Sequence, residues 1–369
     1  MNEPLRIIIA GGGTGGHIFP AVAVAQALQR LHPGVALLFA GAKGKMEMEK
    51  VPQEGFDIVG LDIAGFNRSN MLKNLWLPFL LLKSAWQARR ILKRFRPHAV
   101  VGVGGYASFP VLRAAQRRGI PTVIQEQNSF AGKSNMILGR RAKAVCVAYS
   151  GMERFFPADR LVVTGNPVRR QIAHSALTRE EGQAWLGLDA GRKTILVVGG
   201  SLGAKSVNQA IDNSLERILG EGAQLIWQTG KPYHARAMER AASYAQQVRV
   251  FDFIREMDYA YAAADIVVSR AGALAIAELC IAARPVIFVP YPYAAEDHQT
   301  SNAMALVEHN AAVLVKDNEA DKELFGKIKQ LLHDNTMQQV MINNLKRMAV
   351  TDADERIANT VIRAARKEI

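Results

Sequence analysis

One device occurs twice in this chain. Residues 7–9 run into Gly11-Gly12-Gly13-Thr14-Gly15-Gly16, and residues 195–198 run into Gly199-Gly200-Ser201-Leu202-Gly203-Ala204. A short apolar run, a glycine-rich turn and a helical pattern, in that order, are the strand–loop–helix unit of a parallel α/β sheet. Glycine lets the backbone turn tightly and approach a ligand, while N–H groups and a helix N-terminus aim at phosphate. The chain has 369 residues, more than one core usually serves. Two copies of the device predict two Rossmann-like domains, α/β in class, with parallel sheets facing across a cleft.

The rest of the pattern fits. Further strands are expected at 36–40, 99–103, 122–125, 144–147 and 160–163. In the second half they are expected at 224–228, 248–251, 266–269 and 286–289. Helical patterns fall between them at 21–31, 84–95, 206–219 and 274–282. Thr164-Gly165-Asn166-Pro167 breaks the pattern and marks the boundary, so the expected domains are 1–164 and 165–350. Residues 354–367 read as a basic amphipathic helix expected to pack back on the first domain.

Charge is distributed unevenly. The formal net charge is +13, and residues 1–165 hold 22 Lys/Arg against 9 Asp/Glu, so the front half carries the whole excess. No acidic residue occurs from Ile63 through Gln125. An anionic partner is implied. RNA-binding modules usually interleave exposed aromatics with their basic residues. Here the aromatics lie in apolar runs, so nucleic acid is not the expected partner. Cys146 and Cys280 lie far apart in apolar stretches and read as buried thiols, not as a disulfide or a zinc site. No run of about 20 apolar residues exists to span a bilayer, and the opening strand pattern does not read as a signal peptide.

Gly11, Gly13 and Gly16 also satisfy the G-x-G-x-x-G spacing of dinucleotide-binding loops. That chemistry wants an acid at the end of the second strand to hold a ribose. Here the second strand ends in Phe39-Ala40-Gly41 and the next acid is Glu47, which counts against an NAD enzyme. Gly44-Lys45 lacks the spacing of a phosphate-binding Walker loop. Asp352-Ala353-Asp354 has the Asp-x-Asp pattern that holds a metal in some glycosyltransferases. It sits before the last helix, away from both loops, and is read as capping and N-terminal charge.

A set of segments is more specific. It comprises Ala10 through His17, Gly104-Gly105-Tyr106, Glu126-Gln127-Asn128, Gly165-Asn166-Pro167-Val168-Arg169 and Gly199-Gly200-Ser201. Arg270-Ala271-Gly272-Ala273, Ala277-Glu278 and Asp297-His298-Gln299 complete it. In order and spacing, along essentially the whole chain, these resemble the MurG family of bacterial cell-wall glycosyltransferases. The resemblance implies a GT-B fold and inverting transfer of GlcNAc from UDP-GlcNAc to the muramyl sugar of lipid I, without a metal or other cofactor. It also implies peripheral attachment to the cytoplasmic face of the inner membrane, with other cell-wall or division proteins as further partners.

The same resemblance assigns residues. Donor contacts fall on Thr14, Gly15, Gly16, Asn128, Arg169, Ser201, Ile254, Gln299, and the run Ala273, Leu274, Ala275, Ile276, Ala277 and Glu278. Glu278 has the two acceptor oxygens that a ribose diol needs. Gly104, Gly105 and Tyr106 fall on the acceptor side. Many relatives have His before Glu-Gln-Asn, whereas this chain has Gln125. The general base is then either His17, which closes the first loop, or Glu126; the residues alone leave both open. A UDP-sugar epimerase of the same fold, or a non-catalytic nucleotide-sugar or nucleic-acid binder, are the alternatives.

Residues 71–82 are rich in apolar side chains, including Leu75, Trp76 and Phe79, and Trp86 follows. Lys73, Lys83, Arg89, Arg90, Lys93, Arg94 and Arg96 flank them. An apolar face bordered by cations is what a segment lying in an anionic membrane surface needs.

Overall fold

The computed structural model describes residues 4–63, 77–200, 202–294 and 297–369. The chain divides into two compact units. The N-terminal unit is Met1–Arg169 together with Asp352–Ile369, and the C-terminal unit is Arg170–Thr351.

Among the described residues the N-terminal unit has seven strands. They are β1 (Arg6–Ala10), β2 (Ala36–Ala42), β3 (Ile58–Leu61), β4 (Ala99–Gly102), β5 (Thr122–Glu126), β6 (Ala144–Val147) and β7 (Leu161–Val163). They form one sheet in the order β3-β2-β1-β4-β5-β6-β7, and every pairing is parallel. The order reverses between β1 and β4, the switch point of a doubly wound fold. β1 shows why this strand was readable. Ile7 and Ile9 pack on one face with Ala99 and Val101, and Ile8 packs on the other with Val100 and Leu92. Helices cover both faces, so an uninterrupted apolar run is stable there.

The helix Ala353–Ala365 belongs to this unit. Ile357, Ala358 and Val361 join the core beside Val24 and Leu28 of the helix Gly15–Leu31. Arg30 donates to Asp354 at 2.7 Å and reaches Glu355 at 3.4 Å. Asp352 is the residue before the helix, but its carboxylate makes no capping bond. It pairs with Arg356 at 2.9 Å, one turn on. The expected cap is therefore replaced by an ion pair, and the two aspartates serve salt bridges.

The C-terminal unit repeats the plan with β8 (Thr194–Val198), β9 (Gln224–Gln228), β10 (Val248–Phe251), β11 (Ile266–Ser269), β12 (Val286–Phe288) and β13 (Val313–Leu314). The order is β10-β9-β8-β11-β12-β13, again all parallel. Ile195, Val197, Leu225 and Trp227 pack against Val207, Ile211 and Leu215 of the helix Lys205–Gly220. The buried Trp227 indole donates to Asn208 Oδ1 at 3.0 Å, and Asn208 donates to the Thr229 carbonyl at 2.8 Å. One apolar side chain is thereby buried with its polar atom satisfied.

Two strands were not expected, β3 and β13. Both are short outer strands with half-buried positions; Gly60 interrupts the apolar run of β3, and β13 is only two residues long. The first helix starts at Gly15 rather than at 21, although Gly16 and Pro20 read as breakers. Burial of Ile18, Val22 and Val24 outweighs that propensity. Of the apolar stretch 71–82, Leu75 and Trp76 lie outside the described residues.

Candidate functional site

In the N-terminal unit, the loops after β1, β4, β5 and β7 lie at the C-terminal strand ends, where open α/β sheets bind ligands. The first and second glycine clusters touch. Gly105 has φ +82°, and a Cβ there would run into the backbone of Gly12. Gly104 faces the imidazole of His17: a Cβ on Gly104 would stand 2.7 Å from His17 Cδ2 and Nε2. His17 Nδ1 is 3.2 Å from Thr14 Oγ1. His17 is half-buried, while Thr14, Gly16 and Tyr106 are exposed. Thr14, Gly15, Gly16, His17, Gly104, Gly105 and Tyr106 are thus brought to one end of the sheet.

What shapes the first loop is a residue to which sequence reasoning gave no role. Glu47, in the helix Glu47–Gln53, is 1 % exposed. Its Oε2 accepts from Gly13 N and its Oε1 from Ala42 N, each at 2.9 Å. Any side chain at Gly12 would occupy the space of the Glu47 carboxylate. The signal available was an acid in the first turn of a helix, too common a feature to single out.

Glu126 has a similar structural role. It is 2 % exposed. Oε1 accepts from Asn128 N at 3.1 Å and from Asn128 Nδ2 at 3.3 Å. Oε2 accepts from Gly132 N at 3.0 Å and from Asn135 Nδ2 at 2.9 Å. A carboxylate has about four acceptor positions, and all four are engaged by the loop after β5 and the first turn of the helix Lys133–Gly139 that follows it. Gln125 is wholly buried and donates to Asn166 Oδ1 at 3.1 Å, while Asn166 donates back to the Gln127 carbonyl at 2.9 Å. Position 125 therefore ties the loop after β5 to the segment after β7. Arg169, at the end of that segment, places its guanidinium over the Phe19 ring, 5.4 Å from the centroid.

In the C-terminal unit, the loop 199–204 joins β8 to the helix Lys205–Gly220. Gln228 donates to the Gly200 carbonyl at 2.9 Å and fixes the turn. Ser201 lies outside the described residues. Ile254 follows β10 and is 3 % exposed. The helix Ala273–Ala282 follows β11, and Glu278 is its sole charge, half-buried. Tyr261 donates its hydroxyl to Glu278 Oε2 at 3.0 Å. Gln299 Oε1 accepts from Tyr291 N at 2.9 Å. Arg270 is spent on a clamp: Nη1 donates to the carbonyls of Val289 (2.9 Å) and Pro290 (3.1 Å) and pairs with Asp317 at 2.5 Å, and Nη2 donates to Ser206 at 3.2 Å. These bonds tie β12, the loop beyond it and the helix after β8 together.

Among the described residues no group of three His, Cys, Asp or Glu side chains could hold a metal. Both cysteines are free and buried, and burial pushes each thiol up to about 12. That removes them from nucleophilic or ligand chemistry.

Residues 7–147 match the glycosyltransferase family 28 N-terminal domain and residues 194–357 match the family 28 C-terminal domain. A relative from Phocaeicola vulgatus is 50% identical over 369 residues, covering 100% of this chain and 98% of its own. It is named UDP-N-acetylglucosamine–N-acetylmuramyl-(pentapeptide) pyrophosphoryl-undecaprenol N-acetylglucosamine transferase. The crystal structure of Acinetobacter baumannii MurG superposes with a TM-score of 0.78 at 31% identity, covering 98% of this chain and 100% of that one. A UDP-N-acetylglucosamine 2-epimerase structure shares the fold alone, with a TM-score of 0.68 at 14% identity over 98% of this chain and 96% of its own. With both domain types matched in order along two doubly wound units, the chain belongs to glycosyltransferase family 28.

Proposed function

We propose that this protein transfers N-acetylglucosamine from UDP-N-acetylglucosamine to the muramyl sugar of lipid I, forming lipid II with inversion at the anomeric carbon. The observation that carries the assignment is 50% identity, over the full length of both chains, to a transferase whose name states that donor and acceptor. The epimerase shares only the fold. The two units divide the work. The C-terminal unit takes the nucleotide through Ser201, Ile254, the run Ala273–Glu278, and Gln299. The N-terminal unit takes the acceptor at Gly104, Gly105 and Tyr106 and contributes Thr14, Gly15, Gly16, Asn128 and Arg169 toward the donor.

Inverting transfer needs the acceptor hydroxyl deprotonated as it attacks and the leaving UDP stabilised. We assign His17 as the base and Thr14 as its orienter. Thr14 Oγ1 lies 3.2 Å from Nδ1, and in the tautomer in which Nδ1–H donates to it the lone pair lies on Nε2, the atom beside Gly104. Glu126 is better read as the anchor of the loop carrying Asn128, since its acceptor positions are already engaged. Charge on the departing diphosphate is met by backbone N–H groups of the loop 199–204 and the helix N-terminus behind it.

Because the acceptor's polyprenyl chain stays in a bilayer, the N-terminal unit works at a membrane surface on the cytoplasmic face. Phe79, Leu81, Leu82 and Trp86 are exposed on the helix Leu77–Phe95, interspersed with Lys83, Arg89, Arg90, Lys93 and Arg94. No described helix is long and apolar enough to cross a membrane. Incubating the protein with UDP-GlcNAc and a lipid I analogue, with and without EDTA, tests the whole assignment. Release of UDP coupled to a disaccharide-bearing lipid, at the same rate in EDTA, is expected. UDP-GlcNAc converted to its 2-epimer, or left intact, would overturn it.

A further inference from the structure

Glu278 is isolated on its helix. Every other residue of Ala273–Ala282 is uncharged, and Ile276, Leu279 and Cys280 are buried in the unit. An unrestrained Glu side chain there samples many rotamers, each aiming the carboxylate elsewhere. A phenol from the neighbouring helix restrains it. Tyr261, on the neighbouring helix Met257–Ala263, is 4 % exposed and places its hydroxyl 3.0 Å from Glu278 Oε2.

Tyr261 is held in turn. Its own carbonyl accepts from Arg284 Nε at 3.0 Å, and the Ala262 carbonyl accepts from Arg284 Nη2 at 2.9 Å. Arg284 follows Ala283, whose left-handed backbone (φ +50°) closes the very helix that bears Glu278. The connections therefore form a ring: Glu278, its helix, the Ala283 turn, Arg284, the Tyr261 backbone, the Tyr261 hydroxyl and back to Glu278. The ring ties the two helices together, and the Tyr261 hydroxyl fixes the Glu278 Oε2 end of it.

We infer that Tyr261 is a positioning residue for the donor nucleoside: it fixes the orientation of the Glu278 carboxylate that meets the ribose diol. This rests on the proposal that Glu278 binds the ribose. A bond to a charged acceptor has a strength that corresponds to roughly tenfold in affinity, and the preorganisation is felt only by ligands that own the ribose hydroxyls.

The test is calorimetric binding of UDP and of 2′,3′-dideoxy-UDP to the full-length protein, its Tyr261→Phe and Glu278→Ala variants and the double variant. Tyr261→Phe removes one oxygen. It is expected to weaken UDP roughly tenfold while leaving dideoxy-UDP unchanged, and to raise KM for UDP-GlcNAc without lowering kcat. Unchanged dideoxy-UDP affinity also reports that the variant is folded. Glu278→Ala is expected to abolish the preference for UDP over dideoxy-UDP, and Tyr261→Phe to add nothing in that background. Equal losses for both ligands in Tyr261→Phe would make Tyr261 merely structural, and no loss for either would make it irrelevant; both overturn the inference while the ribose reading stands. A Glu278→Ala variant that still prefers UDP would overturn the ribose reading and the inference with it.

Discussion

Glu47 and Gly13 are joined by a hydrogen bond of 2.9 Å from the backbone N–H of the glycine-rich loop to a carboxylate that is almost wholly buried. The loop is held from beneath by an anion, so Gly13 N–H is committed to the protein. Replacing Glu47 by Ala leaves two N–H groups, that of buried Ala42 and that of half-buried Gly13, without their charged acceptor. Each such bond is worth about 1.5–3 kcal/mol. Because water can reach the half-buried Gly13 N–H in the variant, Glu47→Ala should lower stability in urea unfolding by less than two full bonds, roughly 2–4 kcal/mol, and lower kcat by loosening the loop that carries Thr14 and His17. Unfolding at the same midpoint would show that the loop holds its shape unaided.

His17→Ala should lower kcat far more than it weakens UDP-GlcNAc, by about 10²–10⁴-fold, the usual contribution of a general base. Glu126→Gln should instead lower the unfolding midpoint, because an amide replaces one oxygen's acceptor pair with a donor facing other donors. If Glu126→Gln melts as the parent does but loses all turnover, while His17→Ala keeps normal kcat, the two roles are exchanged.

For the membrane, Phe79, Leu82 and Trp86 are the exposed apolar side chains to change. The protein should co-sediment with vesicles containing anionic lipid and be released by salt. Each Lys or Arg near such a surface contributes about 1 kcal/mol and is screened by salt. Changing these three residues to serine should reduce sedimentation without affecting UDP binding. Binding to neutral and anionic vesicles alike, insensitive to salt and to these changes, would show that the enzyme meets its lipid elsewhere.

Asp62 carries a pH prediction. Hydrogen bonds from Lys83, Lys43 and Gln87 lower its carboxyl from 3.8 to about 2. Lys83 lies on the helix Leu77–Phe95 and Asp62 just beyond β3, so the pair links that helix to the sheet. A depressed folded value means that the stabilisation is present above pH 3.8 and is lost as pH falls toward 2. An NMR titration should find the Asp62 midpoint near 2, moving upward in Lys83→Ala. An unmoved midpoint in that variant would detach Lys83 from Asp62.

Much of the fold was legible because β1, β4, β8 and β11 are buried on both faces, and such strands are spelled as unbroken apolar runs. The glycine loops were legible because tight turns beside a ligand leave few alternatives to glycine. β3 and β13 were not, being short, partly exposed and at or near a sheet edge. In the candidate site, His17, Glu126 and Glu278 were marked out by the segments that resemble the family, but which of His17 and Glu126 is the base was undecided: a carboxylate is spelled the same whether its oxygens are engaged or open. The chain's order of apolar runs, glycines and charge by itself determined two doubly wound units and a basic front half, since periodicity and residue size are local properties. Only the tertiary structure decided that Glu126 is saturated by Asn128, Gly132 and Asn135, that Glu47 reaches across 34 residues to Gly13, and that Tyr261 meets Glu278. Hydrogen-bond partners from separate elements are chosen by how those elements pack, and no local pattern in the sequence encodes that choice.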